Sequence, residues 1–178
     1  LENLNLYFKN NLLTKEIIVV DANSNDNSDK ILRKRKRIKY YKIDNLGRGN
    51  SIRYGLTKAK GDIVIIFPSD DEYSVNEIQK IVEPIILNHT DITFGSRAIK
   101  CTNLSRQIST IYKNNYFGYL ISKYGGMILS ISCLLFYNRY ISDPLTTFKA
   151  FRKKTLDKLN LISNGVNLEV EIIAKISR

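Results

Sequence analysis

The sequence predicts an α/β domain in which a mostly parallel sheet is flanked by helices. Short β-branched runs, the clearest at residues 63–67, have the length and composition of strands that are covered on both faces. These runs alternate along the chain with stretches of helical periodicity, such as the one that follows Ser74. Because alternation of this kind is typical of parallel strands joined by right-handed crossovers, we expect one such domain over residues 1–178.

Length, composition and charge limit the class of protein. The 178 residues suffice for one domain with a core, and 43% apolar with 25% charged residues is ordinary for a soluble globular chain. The 28 Lys and Arg against 17 Asp and Glu give a net charge of +11, which favours a partner that carries phosphate. Cys101 and Cys133 lack metal-ligand spacing and His89 is the sole histidine, so zinc is not expected. Nothing at the start resembles a secretory signal, which predicts a reducing cytoplasmic setting.

The first predicted strand ends on an acid. Residues 1–13 carry a loose helical pattern, and residues 16–21 then read Glu-Ile-Ile-Val-Val-Asp. A polar turn rich in Asn and Ser follows at residues 22–28. The sequence therefore predicts that the Asp21 carboxylate lies at a strand tip.

Residues 29–39 combine apolar positions with five consecutive basic residues, at 33–37. A run of this kind can bind nucleic acid or a membrane surface. No aromatic residue interleaves it to stack on bases, so the solvated face of an amphipathic helix is the better interpretation.

A glycine-containing turn connects the next strand, predicted at residues 39–43, to a helix. The turn contains Gly47, Arg48 and Gly49, and apolar residues at helical spacing follow it. Glycines before a helix allow backbone N–H groups to approach an anion, and Arg48 adds a cation there. A tight turn that needs a positive φ at either glycine is an equally good interpretation of this piece alone.

Three acidic residues, Asp70, Asp71 and Glu72, follow the strand at residues 63–67. Ser74 and Glu77 then predict a capping box at the start of a helix, and a further strand at residues 91–95 leads to Arg97. Ligands of open α/β sheets bind at the carboxyl ends of the strands. We therefore expect Asp21, the glycine turn, Asp70 and Arg97 to converge on one edge, which suits a cation and a phosphate-bearing ligand.

Six stretches together resemble the family-2 glycosyltransferases. They are Glu-Ile-Ile-Val-Val-Asp at 16–21, Asn-Leu-Gly-Arg-Gly-Asn-Ser-Ile-Arg-Tyr-Gly-Leu at 45–56, Ser-Asp-Asp-Glu-Tyr at 69–73, Gly-Ser-Arg at 95–97, Asp-Pro-Leu-Thr-Thr-Phe-Lys-Ala-Phe at 143–151 and Leu-Glu-Val-Glu-Ile at 168–172. The chain is most similar to the group that contains the dolichyl-phosphate mannose synthases and other polyprenyl-phosphate glycosyltransferases. The resemblance implies a GT-A fold, a nucleotide sugar linked to GDP or UDP, a divalent Mg²⁺ or Mn²⁺ ion, and transfer with inversion.

Two departures from the family pattern stand out. The family's first strand and last core strand have no counterpart, so the chain resembles a fragment truncated at both ends. Pro68 stands where the family has the first acid of its Asp-x-Asp motif, and Asp70 takes the place of the second. With Glu72 at the position of a further ligand, the resemblance implies that Asp70 and Glu72 hold the metal, since Mg²⁺ or Mn²⁺ also accepts phosphate and water oxygens. Asp71 is expected to face solvent.

The resemblance also assigns roles to cations and to the turn. It implies donor binding by a set that comprises Asp21, Gly47, Arg48, Gly49 and Asp70. Acceptor binding is implied for Arg97, Arg106 and Lys149, and the expected catalytic residues are Asp70, Arg97 and Lys149. A lipid monophosphate acceptor is already ionised, so catalysis would consist of positioning and of metal stabilisation of the leaving nucleoside diphosphate. A surface charge is the simpler interpretation for Arg106.

Residues 124–137 contain no charge but are too few to span a bilayer. Tyrosines precede this stretch and basic residues follow it, so an interfacial helix on the cytoplasmic face of a membrane is one interpretation. A helix packed on the sheet or on a second copy is the other.

The sequence thus predicts a glycosyltransferase that acts on a polyprenyl phosphate. A family-2 enzyme with a soluble or polysaccharide acceptor is the first alternative. A non-catalytic nucleotide-sugar-binding or nucleic-acid-binding module is the second, although we expect no nucleic acid partner.

Overall fold

The computed structural model describes residues 14–44, 47–69, 73–96 and 116–177, and the side chains of residues 116–123 are not among the described ones. Strand β1 (Ile17–Asp21) pairs in parallel with β2 (Ile38–Lys42), from Ile17 opposite Ile38 to Asp21 opposite Lys42. Both strands lie within one residue of their predicted positions. The helical pattern at residues 1–13 lies outside the described residues.

The helix between these strands is shorter than predicted. Helix α1 (Ser28–Arg33) ends where the basic run begins, and the chain then turns, with the N–H of Arg35 bonded to the carbonyl of Leu32. The prediction that the basic residues form one face of a helix over 29–39 is therefore wrong. Like charges at helical spacing repel each other, and no apolar residue between Leu32 and Ile38 holds a further helical turn against the sheet.

A second sheet contains three described strands. Strand β5 (Lys149–Arg152) lies between β3 (Ile63–Ile66) and β4 (Ile92–Phe94) and runs antiparallel to both. The α/β class with flanking helices is confirmed, whereas β5 was not predicted, because two of its four residues are cations. An antiparallel strand within an otherwise parallel arrangement is common in α/β proteins.

The remaining helices flank these strands. They are α2 (Arg48–Lys58), α3 (Ile78–Ile86), α4 (Tyr116–Tyr137), α5 (Lys153–Lys158) and α6 (Leu168–Ile176). The predicted capping box of Ser74 and Glu77 is present, and it opens a 3₁₀ turn (Val75–Glu77) that leads into α3. Within the described part of the chain, no helix combines the length and the apolar character that crossing a membrane requires.

Strand β3 is covered on both faces, as predicted. Ile63 and Ile65 pack against the cluster that contains the buried face of α3 and Phe148. Val64 and Ile66 belong to a second cluster, which contains Phe151 and residues of α2, α5 and α6. Because successive residues of a strand point to opposite faces, this alternation places helices on both sides of the sheet.

A groove separates the two sheets. It has a volume of about 790 Å³, and its sides are formed by β1 and β3. Residues of α2, among them Ile52 and Leu56, and residues of α3, among them Ile78 and Val82, also line it. Within the described residues, β1 and β3 each pair with a neighbour along one edge only.

The side chain of Glu171 stabilises the connection between α5 and α6. This carboxylate accepts hydrogen bonds from the N–H groups of Ile162 (2.9 Å) and Ser163 (2.7 Å), and it pairs with Lys175 at 2.8 Å. Burial acts to raise the pKa of Glu171, but the hydrogen bonds from Lys175 and Ser163 outweigh it and bring the pKa to about 2. The charged form of Glu171 therefore stabilises the folded state.

Replacing this carboxylate should destabilise the fold in a pH-dependent way. We expect Glu171→Gln to lower the free energy of unfolding by about 2 kcal/mol at neutral pH. The folded pKa lies below the unfolded value of 4.5, so the stabilisation is complete above that value and is lost as the pH falls toward 2. Urea unfolding of both proteins should show the difference shrinking as the pH is lowered from neutral toward about 3.

The matched control is Asp157→Asn, which removes an exposed carboxylate paired with Lys153 across one helical turn. Exposed pairs of this kind contribute little, so its unfolding free energy should change by less than about 0.5 kcal/mol. A Glu171→Gln difference that does not depend on pH would contradict the assigned role of the charge.

Candidate functional site

Asp21 lies at the carboxyl end of β1, as predicted. Its carboxylate accepts a hydrogen bond from the N–H of Ser24 and another from the hydroxyl of Tyr40, each of 2.8 Å. The bonds from Ser24, together with the one from Tyr40, hold the pKa of the buried Asp21 below its usual range although burial opposes them. Burial, together with the bond to Asp21, raises the pKa of Tyr40 to about 12. Asp21 is thus an ionised acceptor that fixes the turn after β1.

The glycine turn leads directly into α2. Gly47 has φ of 123°, so the positive φ expected of a tight turn is confirmed at this glycine. A Cβ atom at Gly47 would lie 2.6 Å from the carbonyl oxygen of Asn164, and a Cβ at Gly49 would lie 2.7 Å from that of Gly165. The N–H of Asn50 also donates to the Asn164 carbonyl at 3.0 Å. The glycines therefore allow the backbone of residues 163–165 to pack against the start of α2.

A cluster of three charged side chains connects this turn to β5 and α6. Glu169 accepts a hydrogen bond from Arg48 through Oε1, at 3.0 Å, and another from the Nζ of Lys149 through Oε2. The Lys149 Nζ also donates to the carbonyl of Thr146 and lies 5.3 Å from the centre of the Phe94 ring. Desolvation lowers the pKa of Lys149, and the charge and hydrogen bond of Glu169 oppose this effect.

Exposure differs sharply within this cluster. The side chain of Lys149 is 0% exposed and that of Glu169 is 5% exposed, whereas the side chain of Arg48 is 45% exposed. Arg48 is thus the member of the cluster that reaches solvent. Lys149 touches Glu169 and Thr146 in this conformation, and the charge of Asp143 also acts on it.

The side-chain partners of Glu169 lie on α2 and β5 rather than on its own helix. Glu171 does pair within α6, with Lys175. The sequence carried a signal for the difference, since Glu169 shares a helical stripe with Ile172, Ile173 and Ile176. A carboxylate at a core position of a helix requires a buried partner.

Both predicted metal ligands and two of the three predicted acceptor residues lie outside the described residues, whereas the third acceptor residue, Lys149, is described and buried. Those outside are Asp70, Glu72, Arg97 and Arg106. The acidic residues 70–72 follow β3 in the sequence, and Tyr73 is the first described residue after them. Tyr73 is buried, and its hydroxyl shares a 2.9 Å hydrogen bond with that of Thr146. In the described ranges, no three side chains of His, Cys, Asp or Glu are grouped to hold a metal ion.

Comparison with known proteins shows what this arrangement resembles. The model of the family "Glycosyl transferase family 2" matches residues 2–159. Dolichol-phosphate mannosyltransferase of Pyrococcus furiosus is 28% identical over 92% of this chain and 45% of its own length. UDP-N-acetylglucosamine–dolichyl-phosphate N-acetylglucosaminyltransferase of Methanococcus voltae is 27% identical over 81% of this chain and 61% of its own length. The chain thus spans less than two-thirds of the length of these relatives, 45% of the first and 61% of the second.

A solved structure has the same fold. Glucosyl-3-phosphoglycerate synthase from Mycobacterium tuberculosis, crystallised with Mn²⁺, UDP-glucose and phosphoglyceric acid, is similar with a TM-score of 0.63. The match covers 99% of this chain and 61% of the synthase, at 15% identity. At this identity the likeness extends to the fold alone, and the GT-A expectation is confirmed.

Two glycine-to-alanine substitutions should show whether a glycine is required by close contact with neighbouring backbone or only affects helix propensity. Gly49→Ala places a methyl group against the backbone of residues 163–165, so we expect a loss of about 2 kcal/mol in the free energy of unfolding. Gly126→Ala, in α4, meets nothing within 4 Å and should be neutral or stabilising by up to about 1 kcal/mol. Thermal or urea unfolding measures both. Equal effects of the two substitutions would show that packing against this loop does not require glycine at position 49.

Proposed function

The chain belongs to glycosyl transferase family 2, and on this premise we propose that it transfers a sugar from a nucleotide sugar to a polyprenyl phosphate. We propose further that the transfer inverts the anomeric carbon, uses Mg²⁺ or Mn²⁺, and takes place at the cytoplasmic face of a membrane. The observation that carries the acceptor assignment is the similarity, over most of this chain, to two relatives whose names specify dolichyl phosphate.

The donor is proposed to bind at the carboxyl edge of the strands. Asp21 is held in its ionised form at the end of β1. In the pairing of β1 with β2 it lies opposite Lys42, the last residue of β2. Asp21 is proposed to contact the base or ribose of the donor. Gly47, Arg48 and Gly49 come after β2 in the chain, and the partly exposed guanidinium of Arg48 at the start of α2 is proposed to meet the diphosphate. A nucleoside diphosphate, which combines a sugar ring with two anionic groups, suits this pairing of acceptor and cation.

The metal is proposed to bind at the acidic residues 70–72, which follow β3 in the sequence. Its ligands would be Asp70, the proposed catalytic carboxylate, and Glu72. Carboxylate oxygens are the donors that Mg²⁺ and Mn²⁺ prefer, and two of them suffice when phosphate and water oxygens complete the shell. A bound divalent ion would stabilise the negative charge of the leaving nucleoside diphosphate. Tyr73, the residue after Glu72, is hydrogen-bonded through its hydroxyl to Thr146 in the chain segment before β5.

The acceptor phosphate is proposed to meet Arg97 and Arg106, with Lys149 on the same side of the site. The phosphate oxygen that attacks is already ionised, so the reaction requires positioning rather than a strong general base. Lys149 is buried against Glu169, and a direct contact between its ammonium and a phosphate would require it to leave that carboxylate. Arg97 therefore carries the larger share of the proposed acceptor contact.

Membrane contact is proposed for the apolar face of α4, which we define by its exposed large side chains. These are Tyr124, Met127, Ile128, Ile131, Leu134, Leu135 and Phe136. Leu135 is 75% exposed and Phe136 is 80% exposed, values that are unusual for residues of their size. Together with the net charge of +11, this face suits an anionic lipid surface, where an interfacial helix would present the protein to a lipid acceptor.

A second candidate function is transfer to a soluble phosphorylated acceptor. It is favoured by the fold neighbour that was crystallised with phosphoglyceric acid, a small anionic acceptor. The two functions differ in whether α4 must contact a membrane, because transfer to a soluble acceptor needs no lipid surface.

The function can be tested by a transfer assay with UDP- and GDP-sugars, Mn²⁺ and a polyprenyl phosphate. We expect sugar transfer to the lipid phosphate, and Asp70→Asn should reduce its rate by about 100-fold or more because the metal ligand is lost. The matched control is Asp71→Asn, which removes the neighbouring charge and should retain most of the activity. Transfer only to a soluble acceptor such as phosphoglyceric acid would establish the second candidate. Equal metal dependence in parent and Asp70→Asn would contradict the metal assignment.

Membrane contact can be tested separately by vesicle sedimentation. Replacing Leu135 and Phe136 by Asn should reduce binding to vesicles that contain phosphatidylglycerol by at least about tenfold, since two exposed apolar side chains no longer enter the interface. Ile162→Asn is the matched control, because Ile162 is 72% exposed but lies outside α4. Binding that is unaffected by the α4 substitutions would exclude this face as the lipid contact.

A further inference from the structure

Glu169 uses its two carboxylate oxygens for two different parts of the fold. Oε1 accepts from Arg48 at the start of α2, next to the glycine turn, and Oε2 accepts from Lys149 at the start of β5. Since Glu169 is itself on α6, one side chain joins three elements that are far apart in the sequence. The bond to Arg48 spans 121 positions of the chain.

The three side chains of this cluster differ in their exposure to solvent. Lys149 and Glu169 are withdrawn from solvent, while Arg48 reaches it. A guanidinium carries five N–H donors, and the bond to Glu169 is made by one of its nitrogens, Nη2, which ties that end of the group to a buried carboxylate. A side chain that is already held in place loses less conformational freedom when it binds a ligand.

We propose that Glu169 is a positioning residue, which orients Arg48 to bind a phosphate group of a substrate, and that Lys149 is the counter-ion that keeps Glu169 ionised in the interior. The inference rests on the proposed function and deepens it. The phosphate could belong to the nucleotide donor or to the acceptor, because both present the same chemistry to an arginine. The position of Arg48 beside the turn after β2 favours the donor diphosphate.

The alternative is that Glu169 merely neutralises Lys149. Removing Glu169 alone does not separate the two roles, because an unpaired buried ammonium destabilises the fold. A pair of double variants does separate them. Lys149→Met/Glu169→Gln and Lys149→Met/Glu169→Leu both remove the buried charges, but the glutamine retains an oxygen that can accept the hydrogen bond from Arg48, whereas leucine has none.

The readout is calorimetric binding of UDP and GDP in the presence of Mn²⁺, after thermal unfolding has shown that both variants are folded. The glutamine variant should bind within about twofold of the parent, and the leucine variant should bind about tenfold more weakly, which is the worth of one charge-assisted hydrogen bond. Adding Arg48→Gln to the leucine variant should cause no further loss, because the arginine is no longer oriented. Equal binding by the two double variants would overturn the proposal, as would an undiminished effect of Arg48→Gln in the leucine variant.

Single variants on α2 keep the test decisive if a double variant does not fold. Arg48→Gln leaves Glu169 paired with Lys149 and should weaken nucleotide binding about tenfold. Arg53→Gln is the matched control, since Arg53 is on the same helix but bonds to the carbonyl of Ile162 and to Asn164. Nucleotide binding by Arg48→Gln that equals that of the parent and of Arg53→Gln would overturn the proposal.

One further arm, in which Arg48→Gln is compared with the parent, identifies the source of the phosphate. A water-soluble isoprenyl monophosphate replaces the nucleotide as the probe, and a loss confined to this probe would assign Arg48 to the acceptor and overturn the donor assignment. Failure of the proposed function gives a different result. An unmodified protein that uses no nucleotide sugar would bind neither probe, and one with a different acceptor would bind UDP or GDP but not the isoprenyl phosphate.

Discussion

The buried ammonium of Lys149 is the constraint on which the arrangement of the second sheet depends. An ammonium in a low-dielectric interior is tolerated only with a carboxylate and further hydrogen bonds around it. Lys149 begins β5, the central strand of that sheet, so its counter-ion must come from an element packed directly over the strand. Glu169 meets this demand from α6, and Leu168 and Ile172 of the same helix enter the core beside Phe151. Charge pairing and apolar packing thus fix the same helix over the same strand.

The packing of α6 over β5 determines the geometry of the candidate site. Once α6 lies over β5, Glu169 reaches the first residue of α2, and residues 163–165 come against the glycines that precede and begin that helix. The start of α2 is thereby held by an ion pair and by a backbone hydrogen bond from Asn50. Rigid support of this kind is what a binding group at a strand edge requires.

The parts of the fold that follow from local patterns could be predicted from the sequence. The β-branched runs of β1 and β3, and the capping box before α3, contain their own signals. Two features could not be predicted in this way. The length of α1 depends on repulsion within the basic run that follows it. The strand β5 contains a lysine that is buried because a carboxylate twenty positions further along the chain pairs with it. Position at a strand tip likewise identified Asp21, whereas the partners of Glu169 are set by tertiary contacts that periodicity alone does not specify. The apolar stripe of α6 indicated that Glu169 is buried, without indicating against which cation.

The groove between the two sheets offers room for a further strand. In the described part of the chain, β1 and β3 each present a row of backbone N–H and C=O groups that no neighbouring strand uses, and α2 and α3 provide apolar walls on either side. An open strand edge between such walls is a template for any extended segment of polypeptide. Self-association by strand addition, and protection against it, are therefore decided by what fills this groove.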